Sequence, residues 1–356
     1  MNLRMDKIKK IIKDKELDAI LVTSRENTFY LSGFRGSASL ILITPGNAFF
    51  CTDFRYIEAA KAICGKHYDV SMYKGDALPH LHEVTGGDSL GRIGFEENDL
   101  SFMRYSGFKG VFGKAELVPV QSFVDRTRII KEDEEIIRIK KATEISEKAF
   151  GEVLPYIRPG VLELDILAEM EYRMRKGGAS KQAFDTIVAS GKRSSLPHGE
   201  ASLKRIEQGD PVTLDFGAVW EGYCADMTRT VFAGQPSGKM KDIYRIVLEA
   251  QERAQEGVVA GASGREIDRI AREIINKNGY EGCFGHGLGH GVGILVHEEP
   301  RLSEKSESIM ENNMVVSVEP GIYVEDIGGV RIENLVAIRD NNPYVFNETG
   351  KELLIL

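Results

Sequence analysis

Three of the seven histidines in this 356-residue chain, His286, His290 and His297, lie within twelve residues of one another. Every second residue from Gly285 to Gly293 is a glycine. Imidazole is the commonest metal ligand among side chains and carries protons near neutral pH. Glycine, with no Cβ, lets a ligand or a second backbone come close. The stretch alone also fits a glycine-rich loop with incidental histidines, and four acids elsewhere decide between the two. Asp215 and Asp226 stand eleven residues apart, Glu319 and Glu333 fourteen, each pair inside strand-like apolar sequence. A carboxylate buried in such a strand has to be paired or bound to a metal. Buried ion pairs, Asp226 with Arg229 and Glu333 with Arg331, are one solution. The other brings all four carboxylates and His290 together on two divalent cations, because four mutually repelling carboxylates with few cations nearby in sequence need such charge.

Two hairpins must position these acids. Pro211–Val219 and Tyr223–Phe232 flank a turn at Glu221-Gly222, and Met314–Val324 and Val330–Ile338 flank Gly328-Gly329. Either hairpin can bring its two acids face to face. Helical spacing runs from Lys131-Glu132-Asp133-Glu134-Glu135 through Ile136, Ile139, Ala142, Ile145, Ala149, Phe150 and Val153, and stops at Pro155 and Pro159-Gly160. The charge run reads as a solvated first turn, where acids suit the helix dipole. Further helices are expected at Leu162 to Lys176, Lys239 to Glu256, and after the capping box Ser263-Gly264-Arg265-Glu266. Helix pair and hairpin thus alternate twice, which predicts a structural duplication without a sequence repeat.

The first third reads as a separate α/β module. Ile8, Ile11, Ile12 and Leu17 give a helix, and Ala19–Thr23, Ala38–Thr44, Ala48–Thr52, Arg92–Phe95 and Ala115–Val120 give strands. Pro45-Gly46-Asn47 is a hairpin turn, and helical spacing resumes over Phe54–Ala62. No nucleotide-binding glycine fingerprint follows any of these strands. His67, His80 and His82 read as surface residues, since no acids with matching spacing accompany them. The boundary is placed near residue 125, giving domains 1–125 and 126–356.

Composition is ordinary for a soluble globular protein: 42% hydrophobic, 28% charged, net charge −8. The negative balance argues against nucleic acid as a partner. Cys51, Cys64, Cys224 and Cys283 are scattered without a CxxC pair, which suits reduced thiols. The first ten residues lack the apolar core of a secretion signal, and no apolar run approaches a membrane span. A cytoplasmic protein with no membrane partner is expected.

The set Asp215, Asp226, His290, Glu319 and Glu333, in the contexts Leu214-Asp215-Phe216-Gly217, Ala225-Asp226-Met227-Thr228-Arg229-Thr230, His286-Gly287-Leu288-Gly289-His290, Val318-Glu319-Pro320-Gly321 and Arg331-Ile332-Glu333-Asn334, resembles the five metal ligands of the pita-bread metallopeptidases. The resemblance spans the chain and points to the Xaa-Pro aminopeptidase and Xaa-Pro dipeptidase (prolidase) branch. It implies an α/β N-terminal domain of the creatinase/prolidase type followed by an α+β pita-bread catalytic domain. It implies two divalent metal ions, with Asp215 on one, Asp226 and Glu333 bridging, and His290 and Glu319 on the other. Oxygen-rich ligation favours manganese, with cobalt, iron or zinc as alternatives.

By the same resemblance Glu319 shuttles a proton towards the leaving nitrogen, and His297 hydrogen-bonds the scissile carbonyl. His198 lies on the proline side of that bond, and His286 lines the pocket. Arg331 lies near the substrate carboxylate or Glu333, and the Thr228 hydroxyl supports a ligand. The implied activity is release of the residue before proline from peptides, as an Xaa-Pro aminopeptidase, with a dipeptidase restricted to dipeptides as the alternative. A methionine aminopeptidase, a non-catalytic peptide-binding relative and a metal-independent amidinohydrolase are remoter alternatives, and the complete ligand set weighs against the last two. The family habit implies a homodimer.

Overall fold

In the computed structural model, which describes residues 2–356, the chain divides into units Met1–Arg128 and Ile129–Leu356. In the first, the apolar runs Ala19–Val22, Leu40–Ile43, Ala48–Thr52 and Arg92–Phe95 become strands of a six-stranded sheet completed by Asp69–Met72 and Glu116–Pro119. Ala19–Val22 pairs antiparallel with Leu40–Ile43 and parallel with Arg92–Phe95. The Pro45-Gly46-Asn47 turn sets Ile43 opposite Ala48.

Helices Arg25–Ser32, Ala77–Thr85 and Phe102–Val111 escape the periodicity reading, each for a visible reason. The first buries Asn27, Thr28 and Ser32, so its inner face is polar. The second buries only Leu81 fully, too narrow a face to show helical spacing, although Asp76 and the left-handed Gly86 (φ 63°) cap it. The third exposes Phe102 and Met103, which scrambles its pattern. The polar face of Arg25–Ser32 has a buried partner in Glu96. The Glu96 carboxylate accepts from the Thr23 and Ser24 N–H groups (2.5 and 2.9 Å), the Ser24 hydroxyl (2.9 Å) and the Asn27 amide. His67 is exposed, while His80 bonds the Ser71 hydroxyl (2.9 Å) and His82 packs edge-on against Phe112.

The second unit is built twice over. Helices Asp133–Val153 and Glu163–Lys176 cover the antiparallel strands Met227–Ala233, Asp210–Phe216 and Ile187–Ser190. Their shared core includes Ile145, Phe150, Met170, Leu214 and Val231, with Phe150 stacked on Phe216 at 5.9 Å. Helices Gly238–Glu256 and Gly264–Lys277 cover a five-stranded sheet ordered Glu298–Leu302, Gly289–Gly291, Val315–Val318, Asn334–Arg339 and Asn342–Val345. Ile243, Val247, Ile267, Val316, Val336 and Ile338 fill that second core. Fully burying one such side chain stabilises the fold by roughly 1.5–3 kcal/mol. The capping box at Ser263 and Glu266 is present with both hydrogen bonds. No helix among the described residues is long and apolar enough to cross a membrane.

The charge run before the long helix is not wholly solvated. Asp133 and Glu134 are exposed, but Lys131 and Glu135 are buried. Lys131 Nζ lies 3.2 Å from Glu298 Oε2, and Glu135 accepts from the Tyr223 hydroxyl at 3.0 Å. A run of charges next to a helix start looks alike in sequence whether or not later segments fold over it.

Candidate metal centre

Each hairpin breaks its ladder where its acids stand. In the first, Asp215 pairs across from Thr228 near the end of one ladder, and pairing resumes only at Ala218–Trp220 with Tyr223–Cys224. Gly217 occupies the break, where a Cβ would fall 1.9 Å from the Ala225 carbonyl oxygen. Glu221 and Gly222 close the turn with φ of 45° and 86°, the left-handed pair that a two-residue hairpin requires. In the second hairpin, Val318 pairs with Asn334 and Gly321 with Arg331, so Glu319 and Glu333 flank the gap. Strands that stop pairing and change direction free these side chains to converge.

They converge in a cavity of about 450 Å³. Asp215, Asp226 and Glu333 bring ligand oxygens within 4.8 Å of one another. His290 Nε2 lies 3.6 Å from Asp226 Oδ2 and 3.2 Å from Glu319 Oε1. His198, His286, His297 and Arg331 line the same cavity, so all nine residues singled out in the sequence meet there. The alternating glycines serve backbone approach. A Cβ at Gly289 would lie 2.0 Å from the Ser317 carbonyl oxygen, and one at Gly291 2.2 Å from that of Glu299. Strand Gly289–Gly291 can therefore sit between its two neighbours and carry His290 inward.

The alternative of simple ion pairs does not match the bonding. Arg229 turns from Asp226 and donates to the backbone carbonyls of Thr228, Glu333, Thr349 and Gly350 and to the Asn334 side chain. Burial brings its guanidinium down to about 10. Arg331 pairs with Asp215 (Nη2 to Oδ2, 2.6 Å) rather than Glu333, and also donates to Thr228 Oγ1 (3.1 Å), the Pro197 carbonyl (3.1 Å) and the Tyr323 hydroxyl (2.9 Å). Tyr323 in turn meets His286 Nε2 at 2.9 Å, while His286 Nδ1 faces the Gly287 carbonyl at 2.8 Å. Arg331 and His286 line the cavity, yet their polar atoms are engaged by the protein.

The donor set fits metal ions on three counts. Asp215 Oδ1 and Glu333 Oε1 are buried without a hydrogen-bond partner among the described residues; an orphaned carboxylate oxygen costs several kcal/mol unless a cation meets it. His290 Nδ1 lies 3.1 Å from the Gly291 carbonyl, which fixes its proton there and leaves Nε2 as the ligand atom. The remaining carboxylate oxygens are oriented from behind, Glu333 Oε2 by the Thr228 hydroxyl (2.7 Å) and Glu319 Oε1 by the Ser317 hydroxyl (3.1 Å).

Charge crowding agrees. Burial, then the charge of Glu333, pushes the Asp226 carboxyl well up. Burial, then Glu319, does the same to Glu333, and burial raises Asp215 against the pull of Arg331. Burial would raise Glu319 too, but the hydrogen bond and charge of His290, with His286 and Arg331, bring it down to about 2. Desolvation lowers His297 and His286, keeping both imidazoles neutral at pH 7.

Four contributors went unremarked in the sequence. Tyr323 sits between Arg331 and His286, Arg301 and Phe184 line the cavity, and Ser317 holds Glu319. Ser317 stands near the end of its strand two residues before Glu319, so alternation was the available signal for it, while Tyr323 lies on the next strand beyond the break.

The family described as "Metallopeptidase family M24" matches residues 137–340, and that described as "Creatinase/Prolidase N-terminal domain" matches 4–130. An Xaa-Pro dipeptidase of Pyrococcus furiosus is 39% identical over 99% of this chain and all of its own length. The solved structure of an Xaa-Pro dipeptidase from Bacillus anthracis is 42% identical, covers 99% of both chains and superposes with a TM-score of 0.96. That of an X-Pro aminopeptidase from Thermotoga maritima is 40% identical over 98% of this chain and all of that one, with a TM-score of 0.92. The fold expected from the ligand pattern, a creatinase-type α/β domain followed by a pita-bread catalytic domain, is the fold present.

Proposed function

Because the chain belongs to metallopeptidase family M24, we propose that it is an Xaa-Pro dipeptidase, cleaving the bond before proline in dipeptides. The observation that carries the chemistry is the convergence of Asp215, Asp226 and Glu333 with two orphaned oxygens among them. Two divalent ions held by these residues with His290 and Glu319, manganese being our first choice, would supply Lewis acidity and an ionised water near neutral pH.

The other steps fall to side chains. His297, neutral and facing the cavity with its ring 4.3 Å from that of His290, donates to the carbonyl oxygen as negative charge builds there. His198, on the opposite loop, approaches from the proline side. The prolyl nitrogen, like any amide nitrogen, leaves only once protonated, here as a secondary amine. Glu319 takes the proton from the attacking water and delivers it to that nitrogen.

The dipeptidase reading, in preference to the aminopeptidase, is supported by the Xaa-Pro dipeptidases among the relatives at about 40% identity over the full length. Arg301 supports it as well. A dipeptide presents a carboxylate directly after proline, and Arg301 is a cavity-lining cation, 46% exposed and held among the described residues only by an exposed Glu299 carboxylate at 3.8 Å. The test is hydrolysis of Ala-Pro against Ala-Pro-Ala by metal-stripped enzyme reloaded with manganese. Cleavage of the dipeptide alone is expected. Cleavage of the tripeptide at a comparable rate would make the enzyme an aminopeptidase.

A further inference from the structure

Glu163 opens the helix Glu163–Lys176, and its carboxylate is fully buried (0% exposed). It accepts five hydrogen bonds. Oε1 takes the Ser190 N–H (2.7 Å) and hydroxyl (2.8 Å). Oε2 takes Arg193 Nε (3.2 Å), the Ser202 N–H (3.1 Å) and the Ser202 hydroxyl (2.6 Å). Ser190 ends a strand and Arg193 lies in the turn that follows, while Ser202 lies where the chain returns. One side chain therefore closes the loop between them at its base, and that loop carries Pro197 and His198 into the cavity. Among the described residues nothing hydrogen-bonds the His198 ring, so its placement rests on the loop. Arg193 also reaches the Glu200 carbonyl, Glu200 bridges to Ile187, and Lys192 to Asp326, Arg331 to the Pro197 carbonyl and the Gly329 N–H to the Ser194 hydroxyl tie the loop to the second hairpin.

We propose that Glu163 is a positioning residue for His198, a buried clamp that holds the proline-side imidazole at the cavity. The inference rests on the catalytic placement of His198 given above. The charge is part of the design. All five partners are donors, so an amide in place of the carboxylate turns an N–H₂ group towards N–H and O–H groups and opens one side of the clamp.

The test uses the full-length enzyme, loaded with diamagnetic zinc and 13C-labelled at the histidine rings for the spectra and loaded with manganese for turnover. In Glu163→Gln the His198 signal should shift or broaden while the His290 and His297 signals and the metal content stay as in the parent. Turnover should fall roughly 10- to 100-fold, the usual cost of a misplaced group, with KM changed much less. In a His198→Ala background the same substitution should cost nothing further, because the residue it positions is gone. An unchanged His198 signal, or a loss that adds in full to that of His198→Ala, would overturn the proposal. If Glu163→Gln does not fold, Ser202→Ala removes one donor and should show the same pattern at smaller amplitude; no change there overturns it equally. Full turnover by His198→Ala would instead strike the catalytic role of His198, and the histidine spectrum would still decide the clamp.

Discussion

Glu96 in the N-terminal unit and Glu333 in the C-terminal unit are both buried acids, 7% and 1% exposed. Around Glu96 both carboxylate oxygens are met by N–H and O–H donors, and the acid serves to hold the start of a helix. Around Glu333 one oxygen takes the Thr228 hydroxyl, the other has no partner among the described residues, and two more carboxylates crowd the same space. A buried carboxylate with every lone pair occupied is an internal tie. A buried carboxylate with an orphaned oxygen, beside others like it, has the chemistry of a metal ligand. Glu163 belongs with Glu96 in this division, although it works close to the reaction.

The contrast is broken most severely by removing a ligand. Glu333→Ala is predicted to lower kcat/KM by more than about 10³-fold, since several kcal/mol of transition-state stabilisation leave with the ions. Steady-state assays at saturating metal would contradict the ligand assignment if they showed near-parental rates. Next comes His297→Ala, expected to cost on the order of 10²-fold in kcat, the scale of a lost oxyanion donor. Its metal content should stay at the parental level; loss of metal there would make His297 a ligand. Thr228→Val removes the hydroxyl behind Glu333 and should weaken metal binding roughly 10- to 100-fold, read by competition with a chelating dye. Glu96→Gln should be the mirror image. Mismatched donors cost about 2–3 kcal/mol of stability, seen in the denaturant midpoint, while kcat of the folded enzyme is unchanged.

pH sharpens the same distinction. Asp215, Asp226 and Glu333 have carboxyls raised by burial. In metal-free enzyme the folded state therefore holds more protons than the unfolded chain above the ordinary carboxylate range. Their contribution to stability is present below that range and is lost as pH rises through the raised values. Glu319 works in the opposite sense, its contribution falling away as pH drops from the ordinary value towards about 2. Melting of the chelated enzyme should thus show declining Tm from about pH 5 upward, and saturating metal should abolish the decline. A chelated enzyme whose Tm rises over that range would contradict the crowding of these acids.

The convergence of the candidate centre was legible because its residues announce themselves chemically. Asp215, Asp226, Glu319 and Glu333 are acids in apolar strands, and His290 sits among glycines that only close backbone packing explains. The capping box at Ser263 was legible for the same reason, a local rule satisfied locally. Where partners come from far along the chain the pattern fell silent. Nothing near Lys131 in sequence signals that Glu298 will cover it. The helix Arg25–Ser32 hid because its buried face is polar, and its partner Glu96 lies some seventy residues on. Arg331 shows the limit at the site itself. Its neighbour in sequence is Glu333, and its partner in space is Asp215.

The most direct measurement is metal stoichiometry by equilibrium dialysis followed by elemental analysis, on the parent, Glu333→Ala and Glu96→Gln. Two divalent ions per chain in the parent and in Glu96→Gln, with at most one in Glu333→Ala, is the predicted result. Activity in a parent enzyme that binds no divalent ion, or an undiminished pair of ions in Glu333→Ala, would contradict it.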